Sequence, residues 1–177
     1  MSRLKPAEPV KAVASLIFRE MAIMEAAIGA MTSLWGEPDY ISRVFPFHYT
    51  DYYRREMGSD LMRRFFSFGP LMPPETLPDR KIKADLLEAD FAVSGNRRVN
   101  IDPGYVSNHH LILATGKAFA HRPYLRDGVY ADLTLIFREG GFQPLPWTYP
   151  DYGSEEVRGV FFSIRQKYRK QLRMMST

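Results

Sequence analysis

Residues 129–139, with the sequence VYADLTLIFRE, constrain the fold most strongly because apolar and polar side chains alternate along them. Every second position from residue 129 to residue 137 is apolar, and Tyr130, Asp132, Thr134 and Arg138 occupy the alternate positions. Successive side chains of a β-strand point to opposite faces, so a period of two predicts a strand with one buried face. A strand of this kind needs partners, so the fold must contain a sheet.

Further strand patterns precede this one at residues 9–18, 39–49, 61–69, 97–101 and 110–117. Helices are predicted in three places: residues 20–35, residues 77–92 and the segment after Ser154, which is a suitable N-cap. Long runs of strands with few helices are typical of the α+β class. We therefore predict a single α+β domain over residues 1–177, with a mostly antiparallel sheet and about three helices packed mainly on one face.

The composition excludes several classes of protein. A net charge of +4 permits attraction to anions but is modest for a nucleic-acid binder. The chain contains no cysteine, which excludes thiol catalysis and cysteine-ligated metals. No segment approaches the roughly 20 apolar residues of a membrane span, and no signal-peptide cleavage site is evident. We expect a cytoplasmic protein without a membrane partner.

The segment RRVNIDPGYVSNHH, residues 97–110, is the first candidate for part of a site. Strand alternation puts Arg98 and Asn100 on one face. Asp102-Pro103-Gly104 is typical of a turn, which would place Asp102 and Tyr105 at the rim. Without a bulge, Tyr130, Asp132 and Thr134 of the last alternating strand would share this surface. The pair His109-His110 cannot point the same way on a strand, so we predict no metal site.

Three other motifs combine aromatic and charged residues, and two of them contain proline or glycine. They are HYTDYY at residues 48–53, with Asp51 and Tyr52; AHRPYLRDG at residues 120–128, which Lys117 precedes; and PWTYPDY at residues 146–152, with Trp147 and Tyr149. A proline near the aromatic residues reduces the entropy that is lost when they form a rigid wall. The full phosphate-loop pattern is absent, because Ala118 follows Lys117, and no hydrolase or dinucleotide fingerprint is present.

These motifs predict a site whose residues divide into two groups. His121 would carry a proton in acid/base chemistry with a carboxylate to orient it, and the candidate carboxylates are Asp102, Asp132 and Asp151. The expected ligand-binding residues are Arg98, Asn100, Tyr105, Lys117, Arg122, Tyr130, Trp147, Tyr149, Asp51 and Tyr52. The sequence identifies no cofactor and does not decide whether the protein is an enzyme.

Six separated motifs resemble a prokaryotic family that is known as domain of unknown function 4416. In chain order they are FPFHYTDYYRREMG, RRFFSF, RRVNIDPGYVS, LATGKAFAHRPYL, GVYADLTLIF and PLPWTYPDYGS. The resemblance covers almost the whole chain. It implies no activity, because the family has none assigned.

Three functions are compatible with these residues. The first is binding of an anionic small molecule, such as a nucleotide or sugar phosphate, with positive charge from Arg98, Lys117, His121 and Arg122. The second is RNA binding, because aromatic and basic residues interleave on the predicted sheet. The third is an interaction or structural role in which the aromatic motifs form an interface, including one between copies of the chain.

Overall fold

A computed structural model describes residues 3–175. The described residues form nine strands, five α-helices and one short 3-10 helix, and three of the α-helices have more than ten residues. In chain order the elements are β1 (Val10–Phe18), α1 (Met21–Trp35), β2 (Pro38–Ile41), β3 (Phe45–Pro46), α2 (Arg54–Met57), β4 (Met62–Met72), the 3-10 helix (Pro74–Thr76), α3 (Leu77–Asp90), β5 (Val99–Val106), β6 (His110–Thr115), β7 (Tyr124–Arg126), β8 (Val129–Arg138), β9 (Gly141–Pro144), α4 (Pro150–Gly153) and α5 (Glu155–Met175).

One nine-stranded sheet organises the structure. Its main path runs in the order β2-β4-β1-β5-β6-β8-β7, with β3 paired to β4 and β9 paired to β8. Each of these strand pairs is antiparallel. The α+β class and the antiparallel sheet that the sequence predicts are therefore confirmed.

The central strand β1 is buried on both faces, and all nine of its residues are buried. Ala14 and Leu16 belong to an apolar cluster with residues of α1 and α3, on what we call the first face of the sheet. Val13 belongs to a different cluster with residues of α5, on the second face. The expectation that helices lie mainly on one face holds for α1 and α3, whereas α5 covers part of the other face.

Helix α5 begins where the sequence predicts. The Ser154 hydroxyl accepts a hydrogen bond from the backbone N–H of Val157 at 3.3 Å, which satisfies one of the free donors of the first turn. Val157, Phe161, Ile164 and Tyr168 form the buried stripe of this helix. No helix within residues 3–175 combines the length and apolar character that crossing a membrane requires.

Asp102-Pro103-Gly104 does not form a turn, and this prediction was wrong. The three residues continue β5, in which Asp102 pairs with Ser15 and Pro103 pairs with Ala14 of β1. The chain reverses at residues 107–109 instead, where the Ser107 hydroxyl accepts the backbone N–H groups of His109 and His110, each at 3.1 Å. Pairing between β5 and β6 begins only at residue 104, so Pro103 lies outside that ladder.

Gly104 is needed because β5 and β6 approach each other closely. A Cβ atom at this position would collide with the Ile112 carbonyl oxygen and would lie 2.8 Å from Leu113 Cδ2. The first of these is a backbone atom, which cannot move without disturbing the ladder. Glycine is therefore required here by contact distance rather than by a turn conformation.

Replacing Gly104 by alanine is expected to lower the free energy of unfolding by about 1–3 kcal/mol through overpacking. Urea denaturation of the two proteins measures this difference. Gly29→Ala is the matched control, because within residues 3–175 a Cβ at Gly29 in α1 would meet no atom within 4 Å apart from the neighbouring backbone of its own helix. The control is expected to gain about 0.5–1 kcal/mol from helix propensity. Equal behaviour of the two variants would contradict the close approach.

Strand β8 contains a bulge that the alternating pattern does not reveal. Ile112 of β6 pairs with Leu133, and its neighbour Leu111 pairs with Leu135, so Thr134 is the extra residue. Leu133 packs on the first face, whereas Leu135 packs on the second. The single apolar face predicted for residues 129–137 is therefore divided between the two faces of the sheet.

Candidate functional site

Register across the sheet brings polar residues together on the second face. Ile17 of β1 pairs with Arg63 of β4 on one side and with Asn100 of β5 on the other. Residues directly opposite one another in paired strands share a face, so Arg63 and Asn100 flank Ile17. Two positions further along β5, Asp102 lies on the same face. Helix α5 packs near Val13 at the opposite end of β1, which leaves the Ile17 end available for a site.

A cleft of about 500 Å³ occupies this end of the second face. Segments from β4, β5, β6, β8, α3 and the loops around residues 49, 117 and 149 form its walls. Its lining residues are Phe47, Tyr49, Thr50, Tyr52, Tyr53, Arg63, Lys81, Asp85, Arg97, Asn100, Asp102, Leu113, Ala114, Thr115, Gly116, Lys117, Arg122, Asp132, Tyr149, Pro150, Asp151 and Tyr152. We refer to this feature as the cleft.

Arg63 is the charged centre of the most buried part of the cleft. Its Nη2 donates to Asp102 Oδ2 at 3.1 Å, and its Nη1 pairs with Asp151. The guanidinium carbon lies 4.8 Å from the ring centre of Phe47 and 5.0 Å from that of Tyr152. Burial alone would lower the pKa of Arg63, but Tyr152 and the two carboxylates outweigh burial and raise it. Arg63 is therefore a permanent cation between two carboxylates.

The five residues Arg63, Asn100, Asp102, Asp151 and Tyr152 form what we call the floor. Four of them are less than a tenth exposed, and the Asp102 side chain is the most accessible at 25%. The floor is thus mostly buried, so hydrogen bonds and charges in it act more strongly than they would in water.

A second ion-pair network supports the floor from the side of α3. Arg97 makes a two-point contact with Glu56, through Nε at 2.9 Å and Nη2 at 2.8 Å, and its Nη1 lies 3.3 Å from Glu88 Oε2. The same Nη1 donates to Asn100 Oδ1 at 3.0 Å. Because a guanidinium can only donate, this contact identifies the oxygen of the Asn100 amide and fixes its orientation.

Glu88 is a buried carboxyl group in this second network. Its Oε1 accepts the backbone N–H of Ile101 at 2.6 Å, and only 4% of the residue is exposed. Burial raises the pKa of Glu88 to about 7, against the opposing effects of Lys81 and the Ile101 hydrogen bond. The protonation of Glu88 therefore changes near neutral pH in the folded state.

Stability is expected to fall between about pH 4.5 and pH 7 because of Glu88. In this range the unfolded chain has released the proton while the folded chain retains it, so a rise in pH favours unfolding. The shift of pKa from 4.5 to about 7 corresponds to about 3 kcal/mol. Urea denaturation of the protein and of Glu88→Gln at pH 4.5 and pH 8 isolates this contribution. An identical pH dependence in both proteins would contradict it.

His121 and Trp147 lie beside the cleft and do not line it. The His121 ring stacks on Trp147 with centres 4.9 Å apart, and its Nε2 lies 3.6 Å from Asp132 Oδ2. Arg122 Nε donates to that same oxygen at 2.7 Å, and Thr134 lies 3.2 Å from the other carboxylate oxygen. Arg122 therefore makes the short contact with Asp132, and the contact between His121 and Asp132 is longer and weaker.

Four exposed residues surround the opening of the cleft, and we call them the mouth: Tyr49, Tyr52, Lys117 and Tyr149. The Lys117 ammonium lies 4.0 Å from the ring centre of Tyr52, which links the loops at residues 49 and 117. Within residues 3–175, no carboxylate lies within ion-pair distance of Lys117. Each of the other lining cations pairs with at least one carboxylate.

The structure brings most of the residues predicted for a site to one place. Those that line the cleft are Tyr52, Asn100, Asp102, Lys117, Arg122, Asp132, Tyr149 and Asp151. His121 and Trp147 are their immediate neighbours. Of the six residues that the sequence predicts on one surface, Asn100, Asp102 and Asp132 line the cleft, whereas Arg98, Tyr130 and Thr134 do not.

Four predicted residues lie elsewhere. Arg98 pairs with Glu20 at 2.8 Å, and Asp51 pairs with Arg54 at 3.1 Å. Tyr105 packs against the apolar cluster of the first face. Tyr130 contacts the ring of Tyr124 at the β7 edge, with ring centres 5.2 Å apart.

The sequence did not identify the arginines that organise the cleft, Arg63 and Arg97. A signal for Arg63 was present, because alternation along residues 61–69 puts it on the same face as Phe65. An arginine on the buried face of a strand must be paired, but its carboxylate partners lie 39 and 88 residues away in the chain. For Arg97 the sequence held no comparable signal.

No group of three or more His, Asp or Glu side chains within residues 3–175 is arranged to hold a metal ion.

Fold and cleft together define an α+β protein with an antiparallel sheet and a polar, aromatic-lined cleft on one face of it. The chain belongs to the family described as Domain of unknown function (DUF4416), which matches residues 8–168. The resemblance that the sequence motifs indicated is therefore confirmed. No curated protein and no solved structure matches the chain significantly.

Proposed function

We propose that the protein binds a small anionic molecule, such as a nucleotide or sugar phosphate, in the cleft. The observation that carries this proposal is Lys117, a cation at the mouth that has no carboxylate partner within the described residues. The other lining cations are already neutralised by aspartate or glutamate. An incoming phosphate or carboxylate would therefore find its free positive charge at Lys117.

Exposed aromatic rings beside Lys117 support the same proposal. Tyr149 is 54% exposed and Tyr52 is 58% exposed, although both line the cleft. Rings that are held at an opening offer flat faces on which a base or a sugar can stack. A volume of about 500 Å³ falls within the range of small-molecule sites.

RNA binding has less support from the arrangement of the sheet. Stacking of several bases needs an open sheet surface, whereas α1 and α3 pack on the first face and α5 packs on part of the second.

An interaction role and a cytoplasmic location stay predictions. So does acid/base chemistry, for which Asp102 is better placed than His121, because Asp102 lines the cleft.

The proposal is tested by NMR titration of ¹⁵N-labelled protein with AMP, ribose 5-phosphate and glucose 6-phosphate, each compared with its uncharged counterpart. We expect at least one phosphate compound to shift the backbone amides of Gly116 and Lys117, and the uncharged counterpart to bind more weakly. Shifts confined to residues outside the cleft, or no shift with any of the three compounds, would contradict the proposal.

A further inference from the structure

We propose that the floor of the cleft binds hydroxyl groups, so that the ligand is a phosphorylated sugar or polyol, including the ribose part of a nucleotide. This inference rests on the proposed function, because the anionic group of the same ligand would lie at Lys117. It also gives the ligand a direction: the charged end lies at the mouth and the hydroxyl-bearing end lies against Arg63, Asn100 and Asp102.

The charge of the floor argues against an anion at that end. One cation, Arg63, stands between two carboxylates, Asp102 and Asp151, so the floor carries more negative than positive charge. Arg97, which touches the floor through Asn100, is itself paired with Glu56 and Glu88. A phosphate placed there would meet carboxylates in a poorly solvated setting, where repulsion is strong. The ligand's phosphate therefore belongs at the mouth.

Three buried polar atoms of the floor have no hydrogen-bond partner within residues 3–175: Asn100 Nδ2, Arg63 Nε and the Tyr152 hydroxyl oxygen. Of these, Asn100 Nδ2 and Arg63 Nε can only donate. Their residues are only 4% and 6% exposed, yet both line the cleft. An unsatisfied buried donor is costly, so a small shift of either side chain that brings its N–H to a ligand acceptor in the cleft gains more than an ordinary hydrogen bond. Arg97 donates a hydrogen bond to Asn100 Oδ1, so the Asn100 NH₂ group is the part of that amide left without a partner.

The floor also contains a hydrogen-bond acceptor, the carboxylate of Asp102. The Asp102 side chain is 25% exposed, so its carboxylate can accept a hydrogen bond from a ligand. A hydroxyl group both donates and accepts, and it can therefore meet Asp102 and the free N–H groups together. An ammonium group only donates, so it would leave Asn100 Nδ2 and Arg63 Nε without acceptors. The floor thus fits hydroxyl groups better than an amine.

Calorimetric titration with matched phosphates tests the inference. Phenyl phosphate supplies a ring and a phosphate without hydroxyl groups, and it is compared with ribose 5-phosphate, glucose 6-phosphate and AMP. The best of these three is expected to bind about tenfold more tightly than phenyl phosphate. Asn100→Leu, which removes the free donor, is expected to abolish this preference and to leave the affinity for phenyl phosphate unchanged. Asn96→Leu makes the same substitution at an exposed asparagine outside the cleft, so it is the control and should retain the preference.

Two results would overturn the inference while leaving the proposed function intact. One is phenyl phosphate binding as tightly as the best sugar phosphate, which the unmodified protein alone decides, even if Asn100→Leu does not fold. The other is a preference that survives in Asn100→Leu. If none of the four phosphates binds, the proposed function itself fails along with the inference.

Discussion

Replacing Arg63 by methionine is expected to lower the free energy of unfolding by about 3–5 kcal/mol, because it leaves buried carboxylates without their partner. Asp151 is 5% exposed and has Arg63 as its only ion-pair partner within the described residues. Methionine fills a similar volume, so the loss arises mainly from the uncompensated charges rather than from a cavity. Urea denaturation at neutral pH measures the change.

A control and a compensating variant separate charge from packing. Arg43 also pairs with a carboxylate, Glu156, but their side chains are 56% and 68% exposed. Arg43→Met is therefore expected to cost less than about 1 kcal/mol. Adding Asp102→Asn and Asp151→Asn to Arg63→Met should recover much of the loss, because no buried charge is then unpaired. A cost below about 1 kcal/mol for Arg63→Met would refute the central position that we assign to this arginine.

Replacing Lys117 by alanine is expected to weaken the binding of phosphate compounds by about ten- to a hundredfold. Hydrogen bonds to charged groups contribute about 1.5–3 kcal/mol, and Lys117 is the lining cation that no carboxylate within the described residues neutralises. Stability should hardly change, because the side chain is exposed. Calorimetric titration with AMP and ribose 5-phosphate measures the loss of affinity.

Lys170→Ala supplies the matched control for this variant. Lys170 is also an exposed lysine, but it lies on α5 and outside the cleft. Its removal changes the net charge by the same amount and should leave the affinity unchanged. Added salt should weaken binding to the unmodified protein more than to Lys117→Ala, because screening acts on the charge that the variant lacks. Equal losses in the two variants would show that only the overall charge matters.

The sequence pattern within a segment was enough to predict those helices and strands whose structure is decided mainly by their own residues. The period of the last helix and the N-cap at Ser154 lie within one stretch of chain, and the structure has both where the sequence predicts them. The buried strand at residues 9–18 likewise follows from a continuous apolar run. The α+β class could be predicted because it depends on the order of such elements rather than on their exact register.

The errors arose where distant contacts decide the structure. Asp102-Pro103-Gly104 has the chemistry of a turn, but β1 pairs with this segment and Gly104 serves the close approach to β6. The bulge at Thr134 is a property of the pairing with β6, so alternation within β8 cannot reveal it. A local pattern describes what a segment prefers, and tertiary pairing overrode that preference here.

In the candidate site, too, residues in local motifs were predicted, whereas a residue whose role depends on distant contacts was missed. Residues next to proline or glycine in recognisable motifs, such as Lys117, Tyr149 and Asp151, were predicted and do line the cleft. Arg63 was missed because its role depends on two aspartates far away in the sequence. His121 attracted attention as a proton carrier, but the structure stacks it on Trp147 outside the lining.

A crystal structure of the protein with the tightest-binding of the sugar phosphates tests the central claim most directly. We predict the phosphate within hydrogen-bond distance of Lys117 Nζ, and the hydroxyl groups of the sugar against Asn100 Nδ2 and Asp102. A phosphate bound against Arg63 in the floor, or a ligand bound outside the cleft, would contradict the account.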